Sequence, residues 1–130
     1  MKFRLSYPVR SLRRVLGRGF PVKATCDQAC RVKPTIAIRP RLARRLGIKV
    51  PKGPKSGQLV KVAVPAARKN RPGNGIYRAR VLKGPFRKLA RVTRAKVRVS
   101  SMILDGAGWH HKTVNRWLTL KSKRPLRSGR

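Results

Sequence analysis

Apolar and basic residues alternate one by one through most of this chain. A side-chain period of two is the spacing of an extended strand and not of a helix. Val22, Ala24 and Cys26 fall on one face of a first strand, with Lys23 and Thr25 on the other. Val32, Ile36 and Ile38 repeat the pattern against Lys33, Thr35 and Arg39, and Pro34 places this strand at an edge or a bulge. Further strands are expected from Gln58 to Val64, with Val60, Val62 and Val64 opposite Lys61, and over Tyr77, Ala79 and Val81 against Arg78 and Arg80. Ala95, Val97 and Val99 alternate with Lys96, Arg98 and Ser100 on a strand that continues to Leu104, and a last strand covers about His111 to Leu120. Each such strand has one face to bury and one cationic face to leave in water, which is the pattern of an antiparallel sheet.

Two short segments break the period. RLARRLG, from Arg41 to Gly47, and FRKLARV, from Phe86 to Val92, place apolar residues three or four apart, as a helical turn or two requires. Val50 to Gly57 and Asn70 to Gly75 are rich in Gly and Pro and read as loops. Six strands with two short helical turns predict an all-β chain, an antiparallel β-sandwich, with a compact β-barrel as the alternative. The 130 residues are one domain's worth. The expected division is a basic arm over residues 1–10, the sandwich over 11–120 and a basic tail over 121–130.

The polar faces are almost wholly of one sign. Thirty-six Lys and Arg stand against two carboxylates, Asp27 and Asp105, for a net charge of +34. Paired-carboxylate hydrolysis, calcium loops and carboxylate-held magnesium all need more acid than this chain has, so no enzyme and no cofactor is expected. A field of this sign draws polyanions: DNA, RNA or anionic wall polymers. The expected contacts are the outward strand residues Lys61, Arg78, Arg80, Lys96 and Arg98, with Arg78, Arg80, Lys96 and Arg98 acting as one cluster. To these add Arg10, Arg13, Arg14 and Arg18 before the first strand, and Lys121, Lys123, Arg124 and Arg127 in the tail. Arg matches phosphate bidentately and is the stronger ligand of the two. No recognition helix, zinc finger or aromatic RNA-binding signature is present, so little sequence specificity is expected.

Cys26 and Cys30 are the only cysteines and lie at a strand junction. Their spacing allows a disulfide across a hairpin, two buried thiols, or a metal site with His110 and His111. DGAGWHH, from Asp105 to His111, reads as a hairpin turn in which Asp105 bonds backbone amides and Gly106 and Gly108 take positive φ. Trp109 and Trp117 serve as core or rim packing, or as platforms for stacked bases.

SLRRVLGRGFPVKATCDQACRVKPTIAIRPRLARRLGI, followed by FRKLARVTRAKVRVSSMILDGAGWHHKTVNRWLTL, resembles the immunoglobulin-like repeat modules of actinobacterial secreted and surface proteins. The resemblance covers about Ser11 to Leu120. It implies a non-enzymatic immunoglobulin-like β-sandwich, a disulfide between Cys26 and Cys30, and export beside neighbouring domains of a larger polypeptide. Residues 1–20 hold no apolar run of signal-peptide length, and no stretch is long and apolar enough to cross a membrane. A chain that natively starts at Met1 is therefore expected in the cytoplasm, and a domain excised from an exported protein at the cell surface. The corresponding alternative function is an intracellular nucleic-acid-binding protein, ribosome-associated or DNA-compacting.

Overall fold

The computed structural model describes residues 2–50, 57–66 and 75–122. In chain order these form β1 (Phe3–Ser6), α1 (Leu12–Arg18), β2 (Phe20–Cys26), β3 (Cys30–Ile38), α2 (Pro40–Arg45), β4 (Val60–Pro65), β5 (Gly75–Val81), α3 (Lys83–Leu89), β6 (Arg94–Asp105) and β7 (His110–Lys121). Every pairing between strands is antiparallel, and the alternation read from the sequence is the alternation of burial. In β6, Ala95, Val97, Val99, Ser101 and Ile103 are buried while Arg94, Lys96 and Met102 are exposed.

The seven strands form one sheet in the order β1-β2-β5-β4-β3-β6-β7. The sandwich expectation assigns the strands to two sheets, but hydrogen bonding runs from one to the next without a break and the sheet curls into a half-barrel. The curl lays β5 against β3, where the Tyr77 hydroxyl donates to the Cys30 carbonyl at 2.9 Å although the two strands are not ladder neighbours. Phe20, Val22, Ile36, Val62, Val97, Leu118 and their neighbours fill the concave side, capped by Leu12 and Val15 of α1 and Phe86 and Leu89 of α3. At the two edges, Phe3 meets the His111 ring at 6.1 Å, the Arg116 guanidinium lies 5.8 Å from the Tyr7 ring, and Lys121 N donates to Arg10 O at 2.8 Å. Residues 3–6, within the expected basic arm of residues 1–10, form a strand of the sheet, antiparallel to β2.

Three local features depart from the simple alternation. β4 carries an extra residue: Ile36 pairs Ala63 and Ala37 pairs Lys61, which leaves Val62 over, and Val62 and Ala63 are both fully buried. β3 is central, yet its pairing with β4 is confined to Ile36–Ile38, so its β4-side edge carries no ladder at Pro34, where the missing N–H costs nothing. Leu12–Arg18 is a third helix beyond the two expected; the Ser11 hydroxyl accepts from Arg14 N at its start. Gly19 closes that helix at φ 81°, and a Cβ there would stand 2.8 Å from the Ala79 carbonyl oxygen.

The cysteines are joined, with Cα atoms 6.3 Å apart, so neither free thiols nor a thiolate metal site applies. In the β6–β7 turn the Asp105 carboxylate accepts from Ala107 N at 3.0 Å and Trp109 N at 2.9 Å, as expected. Gly108 has positive φ, at 89°, whereas Gly106 does not; its requirement is space, since a Cβ would meet Ala29 Cβ at 3.0 Å.

Candidate functional site: a cationic sheet face around Trp117

Residues directly opposite across a ladder share a face. The register pairs Lys61 with Ala37, Ala37 with Arg98 and Arg98 with Trp117, so one row crosses β4, β3, β6 and β7 on the convex side. The bulge at Val62 is what keeps Lys61 in this row. Without the extra residue, the pairing of Ile36 with Ala63 would set Val62, and not Lys61, opposite Ala37. Lys96 and Arg94 continue the same face along β6, opposite Thr119 and Lys121.

Trp117 is half-buried on this face. The Arg39 guanidinium carbon lies 4.5 Å from its ring centroid and Lys96 Nζ 5.8 Å. Arg39 is the residue before α2, held there by Pro40 at the first helical position. Arg98 is half-buried, and its Nε is sequestered from solvent with no hydrogen-bond partner among the described residues. It borders an open depression of about 560 Å³ lined by Thr35, Gln58, Lys61 and Ser100. Ser100 donates its hydroxyl to Asn115 Oδ1 at 2.6 Å. Two further depressions of about 500 Å³ adjoin the face, one lined by Arg39, Arg41, Arg45, Arg94 and Lys96 and the other by Arg10, Arg94, Arg116, Trp117 and Lys121.

Among the described residues nothing acidic offsets this surface. Asp27 accepts from Lys2 N at 2.8 Å in the β2–β3 connection, and Asp105 lies in the β6–β7 turn. Cys30 pairs with Asp105, so both carboxylates are at the disulfide end of the sheet. Arg94, at the other end of β6, is about 36 Å from Asp105 by strand rise, several screening lengths away. Arg94, Lys96 and Arg98 are spaced two residues apart, about 7 Å, so each neighbouring pair repels by about 0.6 kcal/mol in a water-like dielectric. A bound anion turns that repulsion into attraction.

The chain matches no family model, no curated protein and no solved structure. The site is therefore defined by its own geometry.

Of the residues expected to bind, Lys61, Lys96 and Arg98 come together here, and Arg10 and Lys121 are tied by their backbones at its rim. Arg78 and Arg80 do not join them. They are exposed on β5, with β4 and β3 between them and β6, and Arg78 Nη1 reaches instead to the Arg18 carbonyl at 3.4 Å. The expected cluster of Arg78, Arg80, Lys96 and Arg98 is thus two groups on different parts of a curved sheet. Arg13, Arg14 and Arg18 are exposed on α1, beside the β5 group. Lys123, Arg124 and Arg127 lie outside the described residues. Arg39 and Arg94 join the face although neither was expected as a contact; each stands at the end of an alternating run and shares the polar parity of Lys33 and Lys96. Trp109 is 75% exposed and Trp117 is at the surface, so neither packs in the core.

Proposed function

We propose that this chain is a non-enzymatic, strongly cationic β module that attaches electrostatically to phosphate-rich polyanions, nucleic acid or anionic wall polymer, with little base-sequence specificity. The observation that carries the proposal is the β4-β3-β6-β7 face, where Arg39, Arg94, Lys96 and Arg98 flank Trp117, Lys61 continues the row beyond Arg98, and both carboxylates are fixed at the far end. Phosphates bound there release their condensed counterions and relieve the repulsion between neighbouring cations. The kinship with immunoglobulin-like surface modules belongs to the same proposal, supported by the antiparallel strands, the curl that lays β5 on β3 and the Cys26–Cys30 bridge. A disulfide persists in oxidising compartments, which favours the cell surface as the setting. The second reading, an intracellular nucleic-acid-binding protein, is favoured by one observation, the aromatic ring of Trp117 amid the cations.

The test is a titration of duplex DNA and of a linear polyphosphate at two salt concentrations. With about 6 to 10 phosphates contacted, affinity falls about 10³- to 10⁵-fold between 50 and 200 mM salt. Replacing Arg39, Arg94, Lys96 and Arg98 by Gln flattens the salt slope by about 3 to 4, whereas the same change at Arg13, Arg14, Arg78 and Arg80 flattens it by no more than about 1. Equal losses from the two sets would mean that total charge alone acts, and the face would not be a site.

A further inference from the structure

Two properties of the face exceed what a uniform cationic coat needs. The first is an aromatic ring at its centre, and the second is a guanidinium nitrogen, Arg98 Nε, hidden from water with no partner among the described residues. An unsatisfied charged donor is costly to keep; Arg98 lines the adjoining depression, and a turn of its guanidinium toward an oxyanion seated there would give that donor its missing acceptor. Lys61, on the other side of Ala37, faces the same depression. Arg98 and Trp117 are direct cross-strand partners, with Cα atoms about 5 Å apart by ladder geometry, a separation that a phosphate and its own base can span.

We infer that this row binds a nucleotide unit of single-stranded nucleic acid, the base stacked on Trp117 and the phosphate held by Arg98 with Lys61. The inference rests on the polyanion reading and narrows it to a polymer that carries free bases. A duplex hides its base faces within the stack, and a wall polymer or polyphosphate has none. Arg39 now covers the ring. An exposed cation–π contact is worth about 2- to 5-fold in affinity and a base stacked on an aromatic ring about 5- to 150-fold, so the base displaces the guanidinium. Once displaced, Arg39 is free to pair with the next phosphate, which adds to the exchange and does not oppose it. Discrimination among bases stays weak because every base has a stacking face.

The experiment uses the full chain and two oligonucleotides of about 15 residues, within the span of a single-stranded site: a thymidine homopolymer and an abasic strand with the same backbone and charge. The homopolymer binds about 10-fold tighter than the abasic strand. Trp117→Leu removes that ratio, and Trp117→Phe restores most of it. In a Trp109→Phe background the remaining indole is quenched by the homopolymer and not by the abasic strand. Arg98→Lys, which keeps the charge but lacks Nε, weakens both strands alike by about 5-fold. Equal affinity of the parent protein for the two strands, each falling steeply with salt, would overturn the base site and leave the polyanion reading standing. Failure to bind either strand at 50 mM salt would overturn both.

Discussion

Replacing Cys26 and Cys30 together by Ala opens the bridge that joins the end of β2 to the start of β3. The cysteines are four apart in sequence, so the closed loop holds five residues. On the chain-entropy account, a loop of that size removes about 7 cal/mol/K from the unfolded ensemble, a loss of about 2 kcal/mol at 25 °C when the bridge is absent. Cys30 is fully buried beside the Tyr77 hydroxyl bond, so removing its sulfur adds a small packing loss; Cys26 is half-exposed and adds less. With an unfolding entropy near 270 cal/mol/K for a chain of this length, about 2 kcal/mol lowers Tm by about 7 °C. The assay is thermal unfolding by circular dichroism at fixed ionic strength, comparing the oxidised parent, the parent under reductant and the double variant. The parent under reductant should fall with the variant. A Tm unchanged within about 2 °C in both would refute the reasoning, because the bridge would then constrain nothing that the folded turn does not already hold.

Gly19→Ala should destabilise by about 2 kcal/mol or more in a denaturant titration, since its backbone is in a region open almost only to glycine and the new Cβ meets the Ala79 carbonyl. Gly17→Ala, in α1 with open space at the Cβ, should instead stabilise by about 0.5 to 1 kcal/mol. Tyr77→Phe deletes the donor that ties β5 to the buried Cys30 carbonyl, and chemical denaturation should show a loss of about 1 to 3 kcal/mol. Thermal stability should rise by several degrees between about 10 and 150 mM NaCl as the screening length falls from about 30 to 8 Å. A flat or falling Tm would mean that self-repulsion among the cations does not act on the folded state.

The cationic face is half legible in the sequence. Parity along β6 alone sets Lys96 and Arg98 on the polar side and Val97 and Val99 on the buried side, because strand side chains alternate without exception unless a bulge intervenes. The bulge in β4 is not legible: Val60, Val62 and Val64 alternate cleanly with Lys61, yet Val62 is the extra residue and Ala63 is buried beside it. Nothing local distinguishes the two arrangements, since the choice depends on what lies across the strand. The helix at Leu12–Arg18 carries a signal in Ser11 followed by Leu12, Val15 and Leu16 at helical spacing. The segment's high Arg content masks it, because no acidic residue marks the first turn.

Strand order was the decisive unknown. Arg78, Arg80, Lys96 and Arg98 have the same parity and the same chemistry in the sequence, but β4 and β3 separate β5 from β6. Residues on one strand are fixed relative to each other by the backbone, whereas residues on different strands meet only if pairing brings their strands together. Arg39 and Trp117, 78 positions apart, became neighbours in that way. Composition and period are local properties, and they suffice to make the strands amphipathic, to give them cationic outer faces and to leave too few carboxylates to offset the charge. Which cations share a surface, the indole among them and the placing of both carboxylates at the opposite end are not local, because they follow from long-range pairing and from the curl of one continuous sheet.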